Sequence, residues 1–300
     1  MSIKTQKLLA YTILVVPALA LYLGVVAFPT LFSVFLSFSD YNGGQIFGGD
    51  NIHFNGIGAY KWMFTEPNGY FYTSLRNNLY IVAVSVFGQI PLGFILAYIL
   101  TRKIIKRGGG FFQTMIFLPN IISPIIIGVL FRVFIGGRDS VYMEIVRIFN
   151  PDAVFKMNSM PMVPVLFVIL WMFTGFYMII FLAHMQRIDP AIIEAARIDG
   201  ATEGGVLRHI ILPAMTSEIV TCSILAISGS LKTFDLIYGM TSGGPAGQTR
   251  VLSLYMYESA FSAGVDYPLA NAISTVMVVV SVILIIVVRQ VAKLFAEKEG

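Results

Sequence analysis

Residues 189–213 read DPAIIEAARIDGATEGGVLRHIILP, a polar island between two long apolar runs. A plain hairpin between membrane spans needs only a short polar turn. This segment instead carries charges, small residues and apolar positions together over about 25 residues. Its local signals spell a helix, a turn and a second helix. Asp189 can cap a helix N-terminus, and Pro190 suits the first helical position. Ala191–Asp199 follow as good helix formers, and Gly200 permits the left-handed backbone that ends a helix. Thr202 can cap a second helix over roughly 203–211, and Pro213 opens the next apolar run. On the first helix Glu194, Ala195 and Ala196 lie together. Alanine lets a partner surface approach closely, and the Glu194 carboxylate can meet a partner's Arg or Lys.

The surroundings of the island are apolar. Of 300 residues 57% are hydrophobic and only 12% charged, with a mean hydropathy of +0.80. A soluble domain carries about 25% charged residues, so the chain reads as an integral membrane protein. Each span needs about 20 mostly apolar residues. Six such runs are present, at about 9–38, 77–100, 114–134, 163–185, 214–234 and 269–288. Backbone hydrogen bonds inside hydrocarbon must close internally, which makes these runs helices. The first begins after Lys4 and Lys7, and Ala18-Leu19-Ala20 mimics a signal cleavage site. The apolar run continues well past that point, which favours an uncleaved anchor.

Charge placement gives an orientation. With the N-terminus inside, twelve of the twenty Lys and Arg residues fall on the inner side, six on the outer side, and Arg132 and Lys232 near span ends. The bias puts both termini and the 189–213 island in the cytoplasm. The basic balance therefore reflects topology, and no nucleic-acid signature accompanies it. Loops of mixed polarity join the spans outside. The first, about 39–76, is rich in Gly, Asn and aromatics and suggests a small packed cap. The second, about 135–161, has room for a short helix near 141–148. The third, about 235–268, holds SGGP at 242–245 and helical spacing at Leu252, Tyr255, Met256 and Ser259.

The island also carries a spaced pattern. Glu194-Ala195-Ala196, three residues, Gly200, nine residues, Ile210, one residue and Leu212-Pro213 make the complete EAA loop signature, seven fixed positions over twenty residues. The chain resembles the permease subunits of bacterial binding-protein-dependent ABC importers. An amphipathic helix on the membrane surface would explain the polarity but not the spacing. The stretches LVVPALALYLGVVAFPTLFSVFLSFSDYN, SLRNNLYIVAVSVFGQIPLGFILAYIL, FLPNIISPIIIGVLFRVF and FDLIYGMTSGGPAGQTRVLSLYMYESAF extend the resemblance over nearly the whole chain. They are similar to the carbohydrate-uptake branch, and within it to the maltose- or glycerol-3-phosphate-type first permease. The extra N-terminal spans and large periplasmic insert of the maltose permease are not found in this sequence, so that permease's sugar contacts do not transfer.

The resemblance implies an all-α integral membrane fold of the type I ABC importer permease kind, with six transmembrane helices and a cytoplasmic EAA coupling helix. It implies half of a translocation pore in a bacterial cell (inner) membrane. The implied partners are a second permease subunit, a dimer of ATP-binding subunits that carries ATP and Mg, and an extracytoplasmic sugar-binding protein. The chain itself has no Walker A pattern and no Cys/His metal cluster, so no cofactor of its own and no enzymatic activity are expected. Coupling to the ATPase falls on Glu194, Ala195, Ala196, Gly200, Ile210, Leu212 and Pro213.

Sugar recognition needs convergent hydroxyl, amide or carboxylate groups beside an aromatic face. The candidates within or at the ends of the inner spans are Asn120, Ser123, Trp171, Tyr177, Asp235 and Tyr238. Aromatics in spans also serve as packing or interfacial belts, and Asp235 can equally pair with Lys232 at a span end. Gly243, Gly244 and Pro245 are candidates for contact with the binding protein, or a turn only. Cys222, the single cysteine, reads as packing. An ion-coupled secondary transporter or channel would also show six spans. Such proteins often hold ionisable groups deep in the membrane, whereas the charges here cluster at span ends. An orphan scaffold would leave the EAA loop unexplained.

Overall fold

A computed structural model describes residues 3–45, 52–102, 108–135, 144, 147–148, 161–262 and 264–296. Most of the short helix expected near 141–148 and the basic stretch 103–107 lie outside the described residues. Four helical stretches are long and apolar enough to cross a membrane: Tyr11–Leu36, Tyr70–Thr101, Met162–Met185 and Tyr267–Lys293. Two bent helix pairs, Gly109–Ile121 with Pro124–Ile135 and Glu203–Ala214 with Thr216–Leu231, bring the count to six. Among the described residues the only β pairing outside named strands is an isolated bridge, Ser39 to Phe54. The fold is all-helical.

In chain order the helices are α1 (Ile3–Tyr22), α2 (Phe28–Leu36), α3 (Gly58–Thr65), α4 (Tyr70–Val84), α5 (Ile90–Thr101), α6 (Gly109–Ile121), α7 (Pro124–Ile135) and α8 (Met162–Met185). They continue as α9 (Pro190–Ile198), α10 (Glu203–Val206), α11 (Leu212–Ala214), α12 (Thr216–Leu231), α13 (Asp235–Met240), α14 (Leu252–Phe261) and α15 (Tyr267–Ala296).

Three junctions are wide π-helical turns, at Leu23–Ala27, Ser85–Gln89 and Leu207–Ile211. Each ends two residues before a proline: Pro29, Pro91 and Pro213. A proline inside a helix has no N–H, and its ring crowds the carbonyl four residues back. Those carbonyls belong to Val25, Phe87 and His209, the middle residue of each wide turn. Widening the turn relieves the crowding while the helix continues.

Pro17 and Pro119 are carried inside α1 and α6 without a wide turn, but at Pro124 the helix breaks. The apolar run 114–134 reads as one span, but it is two helices, α6 and α7, set at 91°. Pro124 disfavours helical backbone at the residue before it and is itself well suited to start a helix. The chain leaves α6 at Ile122, which is extended, with φ −77° and ψ 139°, and the Ser123 carbonyl accepts from Ile127 N–H at 3.1 Å as α7 begins. The fifth span likewise starts only at Thr216, after a 64° bend that follows α11. Beyond its outer end the chain turns into α13 rather than leaving directly into a loop.

The residues group into two compact units. One holds 1–69 and 255–277, the other 70–254 and 278–300. In the first, Ser33 Oγ donates to Asn271 Oδ1 at 2.5 Å. The aromatics of the outer loop do pack: Phe38 lies on Tyr60 and Tyr41 on Tyr267, with ring centroids 5.2 and 6.0 Å apart. Asp40 accepts from the His53 backbone N–H at 2.8 Å and pairs with its imidazole.

The second unit is built around α8. Helices in lipid approach closely where one of them has no side chain. Gly93 of α5 sits against the Tyr177–Met178 backbone of α8, and Gly175 of α8 sits against Ile116 of α6. Gly128 of α7 and Gly239 of α13 do the same for that pair. A Cβ at Gly175 would collide with the Ile116 carbonyl oxygen. We expect Gly175→Val to lose about 1–3 kcal/mol of stability through overpacking, read as a lowered melting temperature in detergent. Gly229→Ala, where a Cβ meets nothing within 4 Å, is the control and should leave it unchanged.

Candidate functional site

The 189–213 segment folds as its sequence signals dictate. Asp189 accepts from Ala191 N–H at 2.9 Å, and Pro190 opens α9. Gly200 has φ +87°, a conformation that favours glycine. Thr202 accepts from Gly205 N–H at 3.2 Å and caps α10. The two helices are amphipathic in the useful sense. Ile193, Ala196 and Ile210 pack on a buried cluster that includes Met185, Val206, Ile211 and Met215. The opposite face carries Glu194 and Ala195, both exposed, and Ile198, 86% exposed. Leu212 and Pro213 are exposed where the chain bends into α12.

Charged groups tie this segment down. Glu203 Oε1 accepts from Arg197 Nη2 at 2.6 Å, and Glu203 Oε2 accepts from Arg102 Nη2. Tyr98 O–H approaches the same oxygen at 3.4 Å. The hydrogen bond from Arg102, then that from Arg197, hold the Glu203 carboxyl below its ordinary range. A second pair, His184 Nδ1 to Glu218 Oε1 at 2.9 Å, joins the inner end of α8 to the start of α12. Arg102–Glu203 and His184–Glu218 join residues far apart along the chain, so no local spacing announces them, whereas Arg197 lies only six residues before Glu203.

A cavity of about 210 Å³ opens in the same unit, among α4, the π-turn before α5, α8, α12 and α13. Its polar lining comes from Ser85, Gln89, Tyr177, Ser230, Lys232, Thr233 and Asp235. Gln89 and Ser230 are held in place, Gln89 Nε2 donating to the Ile169 carbonyl at 2.7 Å and Ser230 Oγ to Ser85 Oγ at 3.1 Å. Of the six substrate-path candidates from the sequence, only Tyr177 and Asp235 line this space. Asn120 and Ser123 sit at the break between α6 and α7, from which only Pro124 reaches the cavity. Trp171 points elsewhere and lies on Phe131, while Tyr238 stacks on Phe234. The sequence reading missed Ser85 and Gln89. Their signal is a buried stripe in steps of four, Ile81, Ser85, Gln89, Gly93 and Ala97.

A larger space of about 490 Å³ lies against Phe87, Leu212, Val220 and Val288, among others. Its lining is almost wholly aliphatic and offers little to a polyhydroxy ligand.

The loop at 241–250 is tightly wound. Ser242, Gly243, Ala246 and Gly247 all have positive φ, and Gly244–Pro245 is a cis peptide. Thr249 Oγ1 bonds both Thr241 Oγ1 and the Gly244 carbonyl at 2.7 Å. Asn77 Nδ2 donates to the carbonyls of Gln248 and Arg250, at 2.7 and 2.8 Å. Gly243 is buried, and Gly244 and Pro245 are half-buried; Ser242, Ala246 and Gln248 form the exposed tip. Asn78 spans further, from the Ser230 carbonyl at 3.0 Å to the Leu252 N–H at 2.8 Å.

Residues 89–298 match the family described as the binding-protein-dependent transport system inner membrane component. The chain belongs to this family. Among its relatives, the multiple sugar-binding transport system permease protein MsmF of Streptococcus mutans is 30% identical over 97% of each chain. The lactose transport system permease protein LacF of Rhizobium radiobacter is 32% identical, covering 90% of this chain and 89% of that one. A permease chain from a bacterial alginate ABC transporter, solved with its alginate pentasaccharide-bound periplasmic protein, superposes with a TM-score of 0.79 at 21% identity. It covers 97% of this chain and 96% of its own. The fold of this family member is therefore that of an ABC importer permease.

Two outcomes follow from the ties in this permease. Asn78→Leu leaves the Ser230 carbonyl and the Leu252 N–H without their buried partner, and should cost about 1–3 kcal/mol in thermal unfolding. Glu203 has a lowered carboxyl pKa in the folded protein. Its stabilisation is therefore present above the ordinary Glu range and is lost as acid takes the pH down through the folded value. The contribution of Glu203 should be flat between about pH 6 and pH 8. Glu203→Gln should remove only a small acid limb, because the group is exposed.

Proposed function

We propose that this permease forms half of the translocation pore of an ATP-driven importer for a sugar or oligosaccharide. The observation that carries the reading is the exposed Glu194, Ala195 and Ile198 face of α9, whose other face is fixed to the inner ends of the spans. An aliphatic side chain as exposed as Ile198, beside a small residue and a carboxylate, suits a protein groove better than water. On this reading the groove belongs to an ATP-binding subunit, which holds ATP and Mg and works as a dimer. Ala195 lets that subunit come close, Ala196 seats the helix on the core, and Glu194 meets a basic side chain on the subunit. Gly200 provides the turn, and Ile210, Leu212 and Pro213 pass the motion into α12. The chain contributes no catalytic group to hydrolysis.

The sugar reading draws on relatives named for multiple sugars and for lactose. The cavity chemistry supports it. Hydroxyls of Ser85, Ser230 and Thr233, the Gln89 amide, the Asp235 carboxylate and the Tyr177 ring are groups that a polyhydroxy ligand uses. A second permease would complete the pore, and an extracytoplasmic binding protein would deliver the sugar. The exposed tip at Ser242, Ala246 and Gln248 is its natural contact, with Gly243, Gly244 and Pro245 shaping that tip. Both termini and α9 lie in the cytoplasm of a bacterial cell, in keeping with the basic residues on that side.

The test is purification with the natural partners in mild detergent. An ATPase and a second permease should accompany the chain. Glu194→Ala should weaken the ATPase contact by about tenfold or more, as loss of a central charged anchor does. Gly200→Asp, which places a side chain at φ +87°, should have a similar effect while the protein stays in the membrane. Normal ATPase recovery and normal transport by both variants would overturn the assignment.

A further inference from the structure

We propose that Glu203 is a positioning residue for transport, binding the coupling helix α9 to the inner end of the second span so that the two move together. The proposal rests on the coupling role of α9 set out above.

Three elements meet at one carboxylate. Arg197 comes from α9, Glu203 opens α10, and Arg102 follows directly on α5. Each carboxylate oxygen takes a different guanidinium. The environments are unequal. The Arg102 side chain is 11% exposed, and its guanidinium lies 5.8 Å from the Tyr98 ring centroid. Glu203 is 59% exposed. A covered guanidinium needs its counter-charge, so the anchored end of the tie is the end on the span. An exposed ion pair adds little net stability; what this one supplies is geometry.

The tie adds a long-range constraint to a turn that is only local. Between α9 and α10 the chain turns at Gly200, where the Gly200 and Ala201 N–H groups bond back to the Arg197 and Ala196 carbonyls at 3.1 and 2.9 Å, and none of these bonds reaches α5. Packing of Ile193 and Ala196 seats α9 on the core but does not fix its angle to α5. The Arg197–Glu203–Arg102 tie does. From Arg102 the route is short. Helix α5 is locked to α8 at Gly93, and its N-terminal end runs into the π-turn that carries Ser85 and Gln89 into the cavity. A push on α9 is thereby delivered to the cavity wall. Two sites joined by a chain of contacts are coupled only if removing a link changes the response, which sets the form of the test.

The experiment uses the assembled transporter in lipid nanodiscs, with a nitroxide label on Phe87→Cys in a Cys222→Ser background. Phe87 is an exposed residue of that π-turn. The readout is the fraction of labels whose spectrum shifts when ATP and vanadate close the ATPase. Glu203→Gln and Arg102→Gln should each keep the ATPase bound yet cut the shifted fraction by about fivefold. The double variant should lose no more than either single one, because both break one tie. Glu203→Asp should recover part of the response. An unchanged fraction in Glu203→Gln, losses that multiply in the double variant, or release of the ATPase from Glu203→Gln would overturn the proposal. Glu194→Ala separates the two readings. If it retains both ATPase and spectral shift, the coupling role itself fails. If it loses them while Glu203→Gln behaves as the unaltered protein, only the tie is refuted.

Discussion

Inside hydrocarbon there is no water to take a backbone hydrogen bond, and most of this chain follows from that constraint. A helix closes its own bonds, so apolar runs become helices. Deviations from helix are tolerated only where other groups take over the freed carbonyls and amides. Asn78 holds the Ser230 carbonyl near the end of α12 and Asn77 two carbonyls of the 241–250 loop, while Gln89 adds a bond to the Ile169 carbonyl inside α8. These amides lie on the buried faces of α4 and the following π-turn, which makes that span the polar seam of its unit. A seam that must be polar for structural reasons is also a natural place to lead a polar solute through.

Close backbone approach is the second organising factor. Lipid tails are as apolar as leucine, so burial alone gives helices no reason to associate; contact area does. Gly93, Gly175, Gly128 and Gly239 let α8 and α7 touch their neighbours at backbone distance. The tight set leaves α8 as a fixed post, with the cavity beside Tyr177 on one of its faces. The 189–213 segment is held instead by charges and a glycine turn.

How much could be read from the sequence depended on how local the cause was. The helix start at Asp189, the left-handed Gly200 and the cap at Thr202 are each written within four residues, and each is found in place. The six apolar runs are legible for the same reason. The 91° break was not, although Pro124 signals it, because hydropathy runs unbroken across 114–134 and gives no sign of direction. The cavity was legible only in part. Tyr177 and Asp235 were found by residue type, but Trp171 and Tyr238 share that type and turn to Phe131 and Phe234 instead. Glu203 was not singled out, since its partner Arg102 is 101 residues away.

The wide turns before Pro29, Pro91 and Pro213 have a consequence for the register of the helices. A π-turn holds one residue more than the α-turn it replaces, so it works as a phase shift in the pattern of faces. The steps of four from Ile81 to Ala97 outrun the α-helical repeat, and the surplus residue near Gln89 brings the stripe back into phase. A regular helix through Ser85–Gln89 with every residue kept would turn one side by about 100° relative to the other and carry Gly93 and Ala97 off α8. Loss of one residue there would instead absorb the surplus and leave both sides facing as they do now. The wide turn is thus the place where this span can give up a residue and keep its register.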